Sequence, residues 1–264
     1  MPVKIAFVNG KGGCGKTTSL FHIAGVLSKA GDRVLVLDFD KQRNTTDTLL
    51  MHTAPPEKTI YDCLCGAPIG DAAQKAHFQS RGNATPKYYG IDCIASDIRL
   101  EDENLLGLIK INKFLENLEE YLEINKYQWV LLDMPPSSKT LNDLCFSFIV
   151  DYILVPFSSD IYSVSGYGDI LNAVEDARRN NPELKIIGVF LARYMANCAV
   201  DKYIKEQLEQ FDTFIDVQIP VAADVREGIF FGRPISYYKT VSNSRKAYED
   251  LVGEIIKRVN LSNK

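Results

Sequence analysis

The sequence predicts an α/β fold: a doubly wound, mostly parallel sheet with helices on both faces. Three observations carry that prediction. Short apolar runs rich in β-branched residues recur along the chain, at residues 33–37, 91–95, 128–132, 151–156 and 185–191 as well as in the run that begins at Val3. Segments with helical spacing of apolar residues separate several of them, as βαβ units require. Two of the runs end in aspartate and one ends in a glycine-rich loop, which suits the carboxyl edge of a parallel sheet with right-handed crossovers.

The first strand runs from Val3 into Gly10-Lys11-Gly12-Gly13-Cys14-Gly15-Lys16-Thr17-Thr18. Residues 17–30 then place Leu20, Ile23, Ala24 and Leu27 on one helix face. The second strand, residues 33–37, ends in Asp38-Phe39-Asp40-Lys41-Gln42-Arg43-Asn44-Thr45-Thr46. Residues 59–64 read as a short helix. Residues 66–90 mix Gly, Pro, Asn and Ser throughout, and are expected to form a surface excursion. A strand over 91–95 and a Ser96-Asp97 turn lead to a long, acidic, amphipathic helix over 100–122. The strand over 128–132 holds the only tryptophan, Trp129, and ends in Asp133-Met134-Pro135-Pro136-Ser137, where the prolines fix the direction out of the sheet. A strand over 151–156, a helix over 163–179 and a strand over 185–191 continue the alternation. A later short strand ends at Ile219-Pro220, and residues 221–227 show no clear period. The last helix, residues 242–259, carries Ala247, Tyr248, Leu251, Val252, Ile255, Ile256 and Val259 as a stripe that docks on the core. No repeat and no linker interrupts the pattern, so residues 1–264 read as one domain.

Composition narrows the class. Hydrophobic residues make up 46% and charged residues 24% of the chain, as in an ordinary globular protein. No apolar run reaches the length of about 18 residues that a spanning helix needs. The first residues enter a strand without a signal-peptide pattern, so a cytoplasmic protein is expected. The six cysteines (Cys14, Cys63, Cys65, Cys93, Cys145 and Cys198) form no C-x-x-C and are expected to be free thiols. A formal charge of −4 does not advertise a nucleic-acid binder.

The chemistry concentrates in three places. Gly10, Gly15, Lys16 and Thr17 fit G-x-x-x-x-G-K-S/T between a strand and a helix, the context of a phosphate-binding loop. Glycines let successive N–H groups turn toward an anion, and the following helix adds the positive end of its dipole. Lys16 supplies a point charge for the β- and γ-phosphates, and the Thr17 hydroxyl is placed to ligate Mg²⁺. Asp38 and Asp40 end the second strand; if the strand continues, both face the same way and divide the orientation of a magnesium shell and of a water between them. Asp133 ends another apolar strand, the arrangement that places a carboxylate in the outer shell of Mg²⁺.

Lys11-Gly12-Gly13-Cys14-Gly15-Lys16-Thr17-Thr18 resembles the deviant Walker A motif of the ParA/Soj/MinD ATPases, a branch of the P-loop NTPases, and the likeness is closest to the ParA/Soj-type partition proteins. The resemblance extends along the chain through Asp38-Phe39-Asp40-Lys41-Gln42-Arg43-Asn44 (family pattern D-x-D-P-Q-x-N), Thr59 to Leu64, Asp133-Met134-Pro135-Pro136 (D-x-P-P) and Gly232-Arg233-Pro234-Ile235 (G-K-P-I). One departure is Lys41, where the family usually has proline, a loss of local stiffness. The resemblance implies ATP and Mg²⁺ as cofactors. ATP would be held by residues 10–18, with Arg193 and Pro220 beside the adenine. Lys11, Lys16 and Asp40 would carry catalysis: Lys11 by reaching the phosphates of a partner chain in a nucleotide-sandwich homodimer, Asp40 by positioning the attacking water. Thr17, Asp38 and Asp133 would serve the metal.

The function so implied is a ParA-like ATPase that dimerises on ATP, binds duplex DNA without sequence specificity and positions or segregates a DNA or protein cargo. Its hydrolysis would be slow and stimulated by a ParB-like or other adaptor, and it would sit in the cytoplasm on the nucleoid. From Arg226 onward the chain has eight basic and four acidic residues, so that end is +4 while the remainder is −8. Arg226, Arg233, Arg245 and Lys246 are candidate phosphate contacts. A MinD-like membrane ATPase is the alternative; it needs a basic amphipathic extension, and only residues 260–264 follow the last helix, so no membrane partner is expected. An iron–sulfur carrier lacks the cysteine pairing, and a tyrosine kinase of this superfamily lacks a tyrosine-rich tail despite Tyr237-Tyr238.

Overall fold

Strand β1 (Val3–Phe7) leads through the glycine loop into α1 (Lys16–Lys29) and β2 (Val34–Asp38). The computed structural model describes residues 1–102, 104–136, 138–158 and 165–262. After β2 come α2 (Asn44–Leu49), α3 (Ile60–Leu64), α4 (Ile69–Ala72), β3 (Ala73–Ser80), β4 (Asn83–Ile94), a 3₁₀ turn (Ile98–Glu101), α5 (Leu105–Leu108) and α6 (Ile111–Asn125). The second half comprises β5 (Trp129–Asp133), α7 (Lys139–Phe148), β6 (Tyr152–Phe157), α8 (Ser165–Ala177), β7 (Lys185–Tyr194), α9 (Ala199–Leu208), β8 (Phe214–Pro220), α10 (Ala223–Phe230), α11 (Ile235–Tyr238) and α12 (Asn243–Ser262).

Among the described residues, eight strands form one sheet in the order β3-β4-β2-β5-β1-β6-β7-β8. Only the β3–β4 pair is antiparallel; the other neighbours run parallel. The α/β, doubly wound architecture is therefore as the sequence predicts. Apart from Lys4 and the terminal Asp38 and Asp133, the central strands β1, β2 and β5 are apolar because both faces are covered. Ala6 of β1 and Leu35 and Leu37 of β2 pack into a core shared with α3, α6, α7 and α8. Ile5, Phe7, Val34 and Val36 point the other way, into a core shared with α1, α11 and α12. Helix α1 approaches α11 so closely that a Cβ at Gly25 would overlap the Pro234 ring.

Several sequence expectations need correction. Residues 66–90 are not an irregular excursion: they contain α4 and most of a hairpin, with Ala76 and Phe78 buried along β3. The strand expected over 91–95 is the end of the longer β4. The single helix expected over 100–122 is instead a 3₁₀ turn, α5 and α6. The Asp102 carboxylate accepts the Asn104 N–H, an Asx turn that competes with helical bonding, and Ile109 is extended. The unpatterned stretch after Pro220 forms α10. Helices α2, α7, α9 and α11 are additional to the sequence reading. The helix expected over 163–179 is described as α8; Ser163, like Ser137 and Lys264, lies outside the described residues.

Candidate functional site

Parallel strands point their carboxyl ends the same way, so the end residues of β1, β2, β5, β6, β7 and β8 share one edge of the sheet. Asp38 and Asp133 are direct register partners there, and Phe7 pairs with Asp133 on its other side. The chain turns from one half of the sheet to the other around β1, which places the glycine loop at the switch point.

The loop over residues 10–15 is fixed from both sides. The Asn9 side-chain amide donates to the Pro156 carbonyl at 2.8 Å, and its Oδ1 accepts the Lys11 N–H at 3.0 Å. Gly15 adopts φ 94°, and a Cβ there would come within 3.0 Å of the Ala192 Cβ, so conformation and space both require glycine. Lys16 opens α1 and is buried. Its ammonium donates to the carbonyls of Asn9 (3.1 Å) and Lys11 (3.0 Å), crossing the loop that it belongs to. The Cys14 thiol donates to the Lys11 carbonyl at 3.3 Å, and burial pushes its pKa up against the lowering effect of the Lys16 charge. Lys11 itself is half-buried on the outer turn, Gly12 and Gly13 are exposed, and Thr18 lies half-buried in the first turn of α1.

The carboxylates are organised by hydroxyls. Thr17 Oγ1 donates to Asp133 Oδ2 at 2.6 Å, and Thr45 Oγ1 donates to the same oxygen at 2.7 Å. Asp133 Oδ1 is buried and has no hydrogen-bond partner among the described residues. Asp38 differs. Its Oδ1 accepts the Asp40 N–H at 3.0 Å, and its Oδ2 accepts both the N–H and the hydroxyl of Thr46, at 2.8 and 2.7 Å. Burial, and then the neighbouring Asp133 charge, push the Asp38 pKa up; burial does the same to Asp133, opposed by Thr17, Thr45 and Lys16. The strand does not continue past Asp38, so Asp38 and Asp40 do not share a strand face as their spacing suggested. The chain turns instead, and Asp40 Oδ1 accepts the Gln42 N–H at 3.0 Å. Lys41 forms an ion pair with Glu101, and the Arg43 guanidinium donates to the Ser96 carbonyl at 3.2 Å, which anchors this loop to the segment after β4.

Arg193 and Pro220 are brought together at the ends of β7 and β8, where Tyr194 pairs with Pro220. Arg193 has the left-handed backbone conformation, φ 60°, and its Nη1 donates to the Gly13 carbonyl at 2.9 Å. The rim and the glycine loop are thus one connected structure. Of the candidate phosphate contacts, Arg226 and Lys246 are exposed. Arg245 is engaged with Glu249 and with the carbonyls of Lys239 and Thr240, and the Arg233 guanidinium lies over the Phe231 ring. Arg258 donates to the carbonyls of Ile187, Thr213 and Phe214, so the basic count from residue 226 onward overstates the charge available to a partner. Asn9, Thr45 and Thr46 are residues of the site to which sequence reasoning gave no role; their partners lie far along the chain, and no spacing rule identifies them.

All six cysteines are free. Among the described residues, no helix is long and apolar enough to cross a membrane.

Known proteins resemble this chain in sequence and in fold. The family described as an AAA domain matches residues 3–186. The chromosome partitioning protein ParA of Caulobacter vibrioides is 31% identical over 261 residues, covering 96% of this chain and 94% of the relative. A plasmid partition protein of Borrelia burgdorferi bound to AMPPNP superposes with a TM-score of 0.75 at 22% identity, covering 98% of this chain and 100% of that one. Cobyrinic acid a,c-diamide synthase of Mycobacterium smegmatis, with bound ATP analogue and magnesium, gives a TM-score of 0.77 at 19% identity, covering 98% of this chain and 96% of that one.

Proposed function

The chain belongs to the ParA/Soj family of P-loop ATPases, and on that premise we propose that it is an ATP-driven positioning switch. In this reading one domain binds ATP at residues 10–18, closes with a second copy into a nucleotide-sandwich dimer and binds duplex DNA without sequence preference. Slow, adaptor-stimulated hydrolysis then releases it, and the cycle positions or segregates a DNA or protein cargo on the nucleoid in the cytoplasm. The observation that carries the reading is the convergence of Lys16, Thr17 and Asp133 on one edge of the sheet.

Lys16 rests on two neutral carbonyls. A phosphate offers it a charged acceptor, a stronger hydrogen bond by roughly twofold, so ATP draws the ammonium away from Asn9 and Lys11. The donor set fits a magnesium ion. Thr17 Oγ1 and the unpartnered Asp133 Oδ1 would hold it, while Asp38, whose oxygens are both taken, supports the site by shaping the loop. Bound magnesium would neutralise charge on the phosphates. Asp40 sits on that loop, 8% exposed, and orients the attacking water. Lys11 adds a cation from the second copy. Arg193 and Pro220 border the base.

Retention on duplex DNA at low salt, with and without ATP, tests the reading. Wild type should be retained only with ATP and Mg²⁺, and Lys16→Ala should neither bind ATP nor be retained. Retention that ignores nucleotide, or ATP affinity unchanged in Lys16→Ala, contradicts it.

A further inference from the structure

Helix α10 ends in a feature that the nucleotide site does not use. Phe230 is 74% and Phe231 47% exposed, and their rings meet edge to face with centroids 5.0 Å apart. Met51 is 44% exposed and lies against the following residue, since a Cβ at Gly232 would stand 3.3 Å from its sulfur. Phe230 and Phe231 therefore form one exposed aromatic tip at the end of α10, with Met51 against the glycine that follows it. Scattered exposed apolar residues are ordinary, but a contiguous cluster with a polar border marks an interaction site.

The border is cationic. Arg226 is exposed and stands one turn before Phe230 on the same face of α10. The Arg233 guanidinium covers the Phe231 ring at 5.3 Å from its centroid. Glu227, the exposed acid of α10, is paired with Lys239 at 3.4 Å. This charge selects a polyanion as the occupant. The aromatic part selects a polyanion that carries apolar groups beside its phosphates, as a duplex does where an apolar side chain wedges between neighbouring base steps. A lipid surface would draw on the same charge but needs a broader apolar face than this tip offers.

We propose that Phe230 and Phe231 contact the bases of DNA, with Arg226 and Arg233 on the flanking phosphates. The inference rests on the DNA-binding reading above and adds a contact that counter-ions do not weaken. Phosphate contacts fade with salt in proportion to their number, whereas stacking and wedging between bases do not.

Fluorescence anisotropy on the full chain, with Mg²⁺ and a non-hydrolysable ATP analogue, tests it on a labelled mixed-sequence duplex across a salt series. The Phe230→Ala/Phe231→Ala double variant should bind more weakly than wild type at every salt concentration, with an unchanged slope of log affinity against log salt. Arg226→Ala should instead reduce that slope by about one. Both aromatic side chains are solvated, so thermal unfolding of the double variant should match wild type. Wild-type binding that the double variant reproduces would overturn the inference while leaving the proposed function standing, as would a loss accompanied by a changed slope. A wild type that binds no DNA overturns both. Phe-dependent binding to phosphatidylglycerol vesicles with DNA affinity unchanged would assign the tip to lipid and also overturn it.

Discussion

Thr17, in the first turn of α1, donates its hydroxyl to Asp133 at the end of β5 at 2.6 Å, so the helix that follows the glycine loop is tied to the strand whose carboxylate faces the same edge. The same oxygen also accepts from Thr45, which leaves the other oxygen buried and unpartnered. Asp133→Asn retains an acceptor for both hydroxyls and removes a buried charge. Without ligand the variant should be as stable as wild type or more so, by up to about 1 kcal/mol. Its stabilisation by ATP should lose most of its dependence on magnesium. Thermal unfolding of both proteins across a magnesium titration checks this; equal magnesium dependence would remove Asp133 from the metal site.

Asp40 lies on a loop that Asp38, Thr46, Lys41 and Arg43 hold in place. Asp40→Ala leaves those anchors intact, apart from the acceptor of the Gln42 N–H. ATP affinity should hold, while single-turnover hydrolysis falls by at least about 10²-fold, because orienting water acts on the transition state more than on bound ATP. Turnover at the wild-type rate would mean that another group orients the water.

His22 joins α1 to the far end of the chain. Its Nδ1 accepts the Ile235 N–H at 3.1 Å, which leaves Nε2 to donate to the Val225 carbonyl at 3.2 Å, and its ring packs on Tyr248. Burial lowers its pKa to about 4, against the raising effects of that carbonyl and of the Asp224 charge. The sign follows. Between the ordinary value of about 6.5 and the lowered one, the unfolded chain takes up a proton that the folded chain refuses. Stability is therefore retained above that window and lost as pH falls through it, by roughly 3 kcal/mol in all. His22→Phe should cost about 1–3 kcal/mol at neutral pH by orphaning the Ile235 N–H, and should flatten the acid limb. Urea unfolding of both proteins at neutral and mildly acidic pH measures the difference; parallel pH profiles would contradict the assignment.

The glycine loop was legible because its backbone requirements fall on consecutive residues, and the two acidic strand ends were legible because apolar runs stop at them. The hairpin was not. Ala76 and Phe78 alternate with polar residues, but Pro86, Gly82 and the surrounding polar residues mask the period, and the hairpin is secured by Phe78 and Tyr89 packing on Tyr237, a residue far along the chain. The helix expected over 100–122 breaks twice, where the Asp102 side chain competes for the Asn104 N–H and where Ile109 turns extended, and neither is marked by a proline or glycine at the break. Within the site, the Thr45–Asp133 bond spans 88 positions and the Arg193–Gly13 bond 180, distances over which a single sequence carries no pairing signal.

The central claim is an ATP-dependent dimer in which Lys11 of each copy serves the other's phosphates. Cations supplied in trans to phosphoryl-transfer sites are worth about 10³–10⁵ in rate, so Lys11→Ala should bind ATP yet neither dimerise nor hydrolyse it. Sedimentation velocity with a non-hydrolysable ATP analogue and Mg²⁺ is the direct measurement. The account predicts a wild type that shifts from monomer to dimer on adding the analogue and a Lys11→Ala protein that remains monomeric with the analogue bound; an analogue-dependent Lys11→Ala dimer would contradict it.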